Sequence, residues 1–324
     1  MLKTVKALTS KVLSGGEITR EEALFLYSQP LEELCESANE IRSKFCGNNF
    51  DMCTIINAKS GRCSENCKFC AQSAYNHTGA PQYPLLPDGE IISQAKINRD
   101  QGVLRYSIVV SGRRLSDGEV DAMCRTVRRI KDEVGISVCV SFGLLSRRQF
   151  ERLRDAGVTR VHNNLETSRR NFRNVCTTHT FEDKIKAINA AQEAGLSVCS
   201  GGIMGLGETP EDRIDMAITL RELGIKSVPL NMLNPILGTP FENNPKLEKK
   251  DMERIAAVYR FILPGAYIRL AGGRGLLEDK GKGCFISGAN AAISGDMLTT
   301  SGITVKTDME LIKELGYEAR LCDE

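Results

Sequence analysis

Short β-branched runs alternate with longer amphipathic stretches along this chain in a regular beat. The runs at 52–57, 103–110, 136–142, 158–164, 196–204, 226–232, 266–270 and, more weakly, 290–293 read as strands. The stretches between them carry helix start signals. Thr209-Pro210-Glu211-Asp212 supplies an N-cap, a proline at the first helical position and acids in the first turn. Eight strands separated by helices imply a parallel sheet. In a chain of 324 residues the natural closure is an α/β fold of (β/α)8, TIM-barrel type, although that length also accommodates two ordinary domains. The pattern predicts a helical segment over 1–48, the barrel over 49–300 and a helical tail over 301–324 packed on it. No linker, repeat or low-complexity tract divides the chain.

Charge and hydropathy narrow the function. The formal net charge is +2, with Lys and Arg spread along the chain, so the footprint of a nucleic-acid binder is missing. No apolar run approaches the roughly 18 residues of a membrane span. A cytoplasmic protein that acts on small molecules is expected. Its twelve cysteines, at 35, 46, 53, 63, 67, 70, 124, 139, 176, 199, 284 and 322, point in a large unsecreted chain to reduced thiols and metal ligation. Only three histidines compete with them as soft ligands.

The stretch GRCSENCKFCAQS brings Cys63, Cys67 and Cys70 together directly after the first predicted strand, at the end of the barrel where chemistry resides in this architecture. A structural zinc closes its tetrahedron with four ligands. Three thiolates suit a 4Fe-4S cluster with one open iron. The amino and carboxylate groups of S-adenosylmethionine can chelate that iron, and one electron passed into the sulfonium releases a 5'-deoxyadenosyl radical. With Phe69 just before the last cysteine, the motif resembles the signature of the radical S-adenosylmethionine enzymes. A zinc knuckle with a distant fourth ligand, or three unrelated thiols, is the alternative.

Two further cysteines sit mid-strand, Cys139 in ISVCV and Cys199 in LSVCSGG, where alternation allows each to face the barrel lumen. A lone buried cysteine is more often a small hydrophobe. Arg269, in YIRL, favours a different role for the pair. A mid-strand charge is tolerated in a lumen only beside an anionic partner, and an all-cysteine iron-sulfur cluster is anionic.

Taken in order, CSENCKFCAQS, Val138-Cys139, HNNLETS, VCSGGIMGLGET, SVPLNML followed by GTP, YIRLAGGR, Gly288-Ala289-Asn290 and Leu298-Thr299-Thr300 resemble the biotin synthase family over essentially the whole chain. The resemblance implies sulfur insertion between two unactivated carbons of dethiobiotin. Deoxyadenosyl radicals abstract hydrogen, and an auxiliary iron-sulfur cluster in the barrel donates the sulfur. It further implies a low-potential electron donor (flavodoxin or ferredoxin), iron-sulfur assembly proteins and a homodimer. Other radical enzymes of the subfamily, of methylornithine synthase or hydrogenase maturase type, share the first motif. They are not expected to combine Cys139, Cys199, Asn231 and Thr299-Thr300. An iron-sulfur electron carrier is a third possibility and would need no substrate pocket.

The resemblance assigns the auxiliary cluster three cysteines and an arginine, but Ser107 stands where the first of those cysteines is expected. Cys53 instead occupies a position on the first strand where the familiar form has serine. Cys53, Cys139 and Cys199 with Arg269 are therefore the expected set. It suits either a 2Fe-2S cluster or a larger one with an extra terminal sulfide. By resemblance and chemical fit, Glu166 accepts from the ribose hydroxyls and Lys184 meets the methionine carboxylate, a solvated helix face being equally open for the lysine. The backbone around Gly205 and Gly207 lines the adenine. Asn164 and Asn231 pair with the ureido ring. Thr299 and Thr300 meet the carboxylate tail, where an ordinary turn is the alternative. No role is assigned to Cys35, Cys46, Cys124, Cys176, Cys284 or Cys322.

Overall fold

The computed structural model describes residues 3–321; Cys322 lies outside them. Ten strands form one sheet: β1 (Asn49–Lys59), β2 (Arg105–Val110), β3 (Ser137–Ser141), β4 (Arg160–His162), β5 (Ser197–Cys199), β6 (Gly202–Met204), β7 (Ser227–Met232), β8 (Tyr267–Leu270), β9 (Ala291–Ser294) and β10 (Glu318–Ala319). All pairings are parallel. β1 bonds to β2 on one side and to β9 on the other, which closes the barrel. The eight predicted strands are all present, with one difference. The run 196–204 is two strands, interrupted at Ser200-Gly201. Pro229 in the neighbouring β7 has no N–H to offer there, and its carbonyl oxygen approaches so closely that a Cβ on Gly201 would fall 2.0 Å from it.

Helices surround the barrel and begin where the sequence signals them. Thr209 accepts from the Asp212 amide and Asp212 reaches back to the Thr209 amide, with Pro210 opening the helix Pro210–Glu222. Ser116 with Glu119 and Thr180 with Asp183 build the same reciprocal cap. Three helices, Val5–Leu13, Arg20–Tyr27 and Leu31–Cys46, precede β1. The C-terminal segment is not wholly helical. After the helix Val305–Glu314 the chain adds β10 beside the start of β1, and Tyr317 packs with Phe50 at a centroid distance of 5.5 Å.

The alternation along the strands decides what this barrel contains. Residues that face the helices are apolar and buried, such as Tyr106, Ile108, Val138, Val140, Val161, Val198, Val228 and Ile268. The opposite parity carries Asp51, Cys53, Arg105, Ser107, Cys139, Arg160, His162, Cys199 and Arg269. Barrels of this type ordinarily fill their interior with branched aliphatics. Here the interior is thiols, hydroxyls and charges, so it is built for ligands rather than for packing.

Candidate active site

The three-cysteine motif forms a folded loop after β1. The Cys63 amide donates to the Gln72 carbonyl at 3.0 Å and the Ala74 amide to the Cys63 carbonyl at 2.8 Å. The Asn76 side chain ties together the carbonyls of Cys67 and Cys70, at 3.2 and 2.9 Å. The three thiols, half-buried, line one cavity of about 400 Å³ together with Phe69. Burial pushes the Cys70 thiol up to about 11, while the amides of Gln72 and Ser73, aimed at its sulfur, oppose the rise. Main-chain N–H groups directed at a sulfur, and three thiols of one loop lining one cavity, fit a cluster with one open iron.

The same cavity continues into the barrel lumen, where Cys53, Cys139, Cys199 and Arg269 line it. Register sets their levels: Cys53 pairs with Arg105, Cys139 with Ser107 and Arg160, and Cys199 with His162 and Ser227. Arg269 Nη1 lies 3.4 Å from Cys53 Sγ. The sequence led us to expect a cluster as the anionic partner of Arg269, but a protein carboxylate fills that role as well. Nη2 stands 3.0 Å from Asp51 Oδ1, and both residues are fully buried. Arg160 Nη1 lies 3.6 Å from Asp51 Oδ2, and Arg105, also buried, donates to Ser137 and Thr159. Buried guanidinium groups in the lumen suit thiolates and sulfides. Burial raises the Cys199 thiol, yet the hydrogen bond with His162 and the charges of Arg269 and Arg160 outweigh it and bring it down to about 6. Cys139, with weaker support from Arg160 and Arg105, is pushed up to about 12 by burial. Ser107 is hydrogen-bonded to Cys139.

The polar residues read from the sequence line the same cavity. Glu166 adopts a left-handed backbone, with φ of +69°. Its amide donates to the Gly201 carbonyl at 3.1 Å and its carbonyl accepts from Ile203 at 2.8 Å, which holds it at the break between β5 and β6. Lys184 is no solvated helix residue: its side chain is 14% exposed, 4.0 Å from Glu166 Oε1, and its ammonium donates to Asn163 Oδ1 at 3.2 Å. Asn164 accepts from the Gly201 amide at 3.1 Å. Asn231 donates to the Gly202 carbonyl at 3.0 Å and accepts from Gly272 at 2.9 Å. Asn231 is thus half engaged by the backbone, while Asn164 also donates to Glu166 Oε2 at 3.4 Å, and each amide keeps one N–H and one lone pair for a ligand. Thr299 and Thr300 line the same cavity in a turn closed by the Met297 amide and the Thr300 carbonyl at 2.9 Å.

Gly205 and Gly207 are the exception. They stand outside the cavity wall, which Ile203 supplies on this strand. Their φ values of +101° and +87° serve the turn after β6, and the Gly205 amide caps Glu208 at 2.8 Å. Glu65, His162, His179, Arg105 and Arg160 line the cavity without having been singled out in the sequence. For Arg105 and Arg160 a signal existed: each sits mid-strand on the same parity as a lumen residue, as Arg269 does.

Comparison with known proteins identifies the family. Residues 58–220 match the radical SAM superfamily and residues 229–318 the Biotin and Thiamin Synthesis associated domain. Biotin synthase of Brachyspira hyodysenteriae is 59% identical over 97% of this chain and 94% of its own length. That of Akkermansia muciniphila is 56% identical over 99% of this chain and 100% of its own. The chain belongs to the biotin synthase family. Members are radical enzymes, so the cofactors here are a 4Fe-4S cluster and S-adenosylmethionine. A crystal structure of methylornithine synthase superposes with a TM-score of 0.84, covering 97% of each chain at 21% identity. At that identity the likeness shows the shared fold alone. Among the described residues no helix is long and apolar enough to cross a membrane.

Proposed function

We propose that this biotin synthase family member converts dethiobiotin to biotin by radical insertion of sulfur between two unactivated carbons. In this reading Cys63, Cys67 and Cys70 hold the 4Fe-4S cluster, which with S-adenosylmethionine supplies the 5'-deoxyadenosyl radical that takes hydrogen from the substrate. Phe69 packs beside that cluster. Glu166 accepts from the ribose hydroxyls, and Lys184, held beside it, pairs with the methionine carboxylate. The free N–H and lone pair on Asn164 and on Asn231 meet the ureido ring. Thr299 and Thr300 receive the carboxylate tail at the mouth. Apolar walls, among them Ile55, Val109, Ile203 and Met232, exclude water from the space between.

Cys53, Cys139, Cys199 and Arg269 hold the auxiliary cluster that gives up the sulfur. Three thiolates with a nearby guanidinium suit a cluster carrying an extra sulfide better than a fully ligated 2Fe-2S unit. The reductant is a flavodoxin or ferredoxin, iron-sulfur assembly proteins load the clusters, and the enzyme works as a cytoplasmic homodimer.

One observation carries this reading: the three-cysteine loop and the lumen thiols line a single cavity, which Asn164 and Asn231 line as well. The test is anaerobic turnover of reconstituted protein with S-adenosylmethionine, a low-potential reductant and dethiobiotin. Both 5'-deoxyadenosine and biotin are expected. Deoxyadenosine without biotin, from protein carrying both clusters, would remove sulfur insertion from consideration.

A further inference from the structure

Behind the three-cysteine loop lies a second group of ligating atoms that the reaction above does not use. Cys176, Thr177, Thr178 and His179 follow the short helix Phe172–Val175, and they are laced to the loop from end to end. The Lys68 amide donates to the Val175 carbonyl at 3.0 Å. Asn66 Oδ1 accepts from the amides of Thr177 and Thr178 at 2.9 and 3.1 Å, and the Asn66 amide donates to Thr178 Oγ1 at 3.1 Å. This lacing holds Cys176 against Cys67. Cys67, Cys176 and His179 bring one ligand atom each within 4.8 Å of one another, the last two residues being buried.

We propose that, in the cluster-free chain, Cys67, Cys176 and His179 form a mononuclear site for a divalent transition metal of the zinc and iron(II) class. Two thiolates and an imidazole are a ligand set that such ions favour. Cys176 Sγ lies 3.3 Å from His179 Nδ1. That is close to the separation of about 3.6 Å between a sulfur at 2.3 Å and a nitrogen at 2.05 Å on one tetrahedral metal. Metal binding must displace the thiol and Nδ1 protons. A carboxylate oxygen of Glu65 stands 2.5 Å from Nδ1. An independent feature points the same way. His179 is 6% exposed, yet its Nε2 has no hydrogen-bond partner among the described residues, and the residue lines the cavity. With Nδ1 on a metal the imidazole proton moves to Nε2, where a cavity water or ligand oxygen can accept it. Among the described residues no fourth ligating group completes this set, so the site is open like a catalytic or transfer site rather than closed like a structural one.

The site shares Cys67 with the cluster assigned above and to that extent rests on that reading, because one thiolate cannot serve both. It therefore belongs to the chain before its cluster is built. The experiment is anaerobic titration of cluster-free, full-length protein with Co2+, read by thiolate-to-cobalt charge-transfer absorption. X-ray absorption on the Zn2+-loaded protein gives the ligand count. The wild type is expected to show two sulfurs and an imidazole. Cys67→Ser, Cys176→Ser and His179→Gln should each weaken Co2+ binding by more than about tenfold, a loss that even outer-shell changes can reach. Cys63→Ala and Cys70→Ala should bind as the wild type does. Cys176→Ser keeps a hydroxyl for the contacts to Asn66 and Thr178, so its fold is secure. Three sulfurs without imidazole, or a signal lost with Cys63 or Cys70 and kept in Cys176→Ser, would put the metal on the loop triad and overturn the proposal. A signal indifferent to all five changes would assign it to other thiols and overturn it equally. Neither result touches the radical chemistry, whose own readout is deoxyadenosine.

Discussion

Arg269 Nη2 and Asp51 Oδ1 form a 3.0 Å ion pair at the floor of the barrel, and the other terminal nitrogen of the same guanidinium reaches Cys53 Sγ at 3.4 Å. The pair couples the stability of the fold to the placement of the thiol. Asp51 serves a second buried arginine as well, with Arg160 Nη1 3.6 Å from its other oxygen. Asp51→Asn keeps the shape but leaves buried positive charge uncompensated, a change that typically costs about 3–5 kcal/mol. A loss of that order is expected in the unfolding free energy of the cluster-free protein, read from denaturant titration. A loss under about 1 kcal/mol, as for a surface pair, would mean that the arginines are compensated elsewhere.

Cys53 and Ser107 lie on adjacent strands but one level apart, since Ser107 pairs with Ile55 and Cys53 with Arg105. Thiolate is a soft ligand that iron-sulfur chemistry favours, whereas a serine hydroxyl stays protonated and is hydrogen-bonded to Cys139 instead. Cys53→Ala is expected to abolish the auxiliary cluster and biotin formation while leaving reductive cleavage of S-adenosylmethionine largely intact. Ser107→Ala should change cluster content little. Anaerobic iron and sulfide quantitation with Mössbauer spectra reads both, and full auxiliary iron in Cys53→Ala would refute the ligand exchange.

Much of this was legible in the sequence because it depends on period and residue type. The outward faces of the strands are β-branched runs, and the thiols that line the cavity are recognisable wherever the chain puts them. What escaped depends on contacts between distant segments. Glu65 and His179 are 114 positions apart and meet only because the cysteine loop folds onto the end of the helix Phe172–Val175. Asp51 could not be matched to Arg269 before the β8–β9–β1 closure was known. Gly205 and Gly207 could not be placed from the sequence, because a glycine-rich turn after a strand reads alike whether it approaches a ligand or reverses the chain.

Asn231 joins three elements: its side chain holds the Gly202 carbonyl of β6 and the Gly272 amide after β8. Removing the amide also leaves a desolvated substrate group unpaired, at roughly 1 to 3 kcal/mol. Asn231→Ala should weaken dethiobiotin binding by about 5- to 150-fold and lower stability as well. Calorimetric titration at a temperature where the variant is folded separates the two effects. Unchanged affinity would move the ureido ring elsewhere in the cavity.

Asp212 gives a pH dependence. Burial raises its carboxyl, but hydrogen bonds from Ser168, the Thr209 amide and Arg170 outweigh burial and hold it below the ordinary value. A folded-state pKa below the unfolded one stabilises at pH above the unfolded value, near 3.8, and that contribution is lost as pH falls through the folded value. Asp212→Ala should therefore cost about 1–3 kcal/mol near neutrality, and the gap to wild type should narrow below about pH 4. Denaturant unfolding at pH 7 and pH 3 tests the sign, and a gap that widens in acid would contradict it.

Glu166 is where backbone strain and the proposed cofactor site meet. A non-glycine residue at φ of +69° carries a conformational cost of roughly 1–2 kcal/mol that glycine would not. It is held there because its own amide and carbonyl bond across the β5–β6 break, to Gly201 and Ile203, and because its side chain faces the cavity beside Lys184. If the sequence accepts strain at this point to place a carboxylate against the ribose, the two effects separate by substitution. Glu166→Gly should be as stable as wild type or more so, Glu166→Ala should retain the strain, and both should bind S-adenosylmethionine more weakly, by about 10-fold or more for loss of a charge-assisted pair of hydrogen bonds. Equilibrium unfolding and direct binding of S-adenosylmethionine to the reconstituted protein supply the two readouts. A stabilised Glu166→Gly with undiminished affinity would show that the carboxylate serves something other than the cofactor.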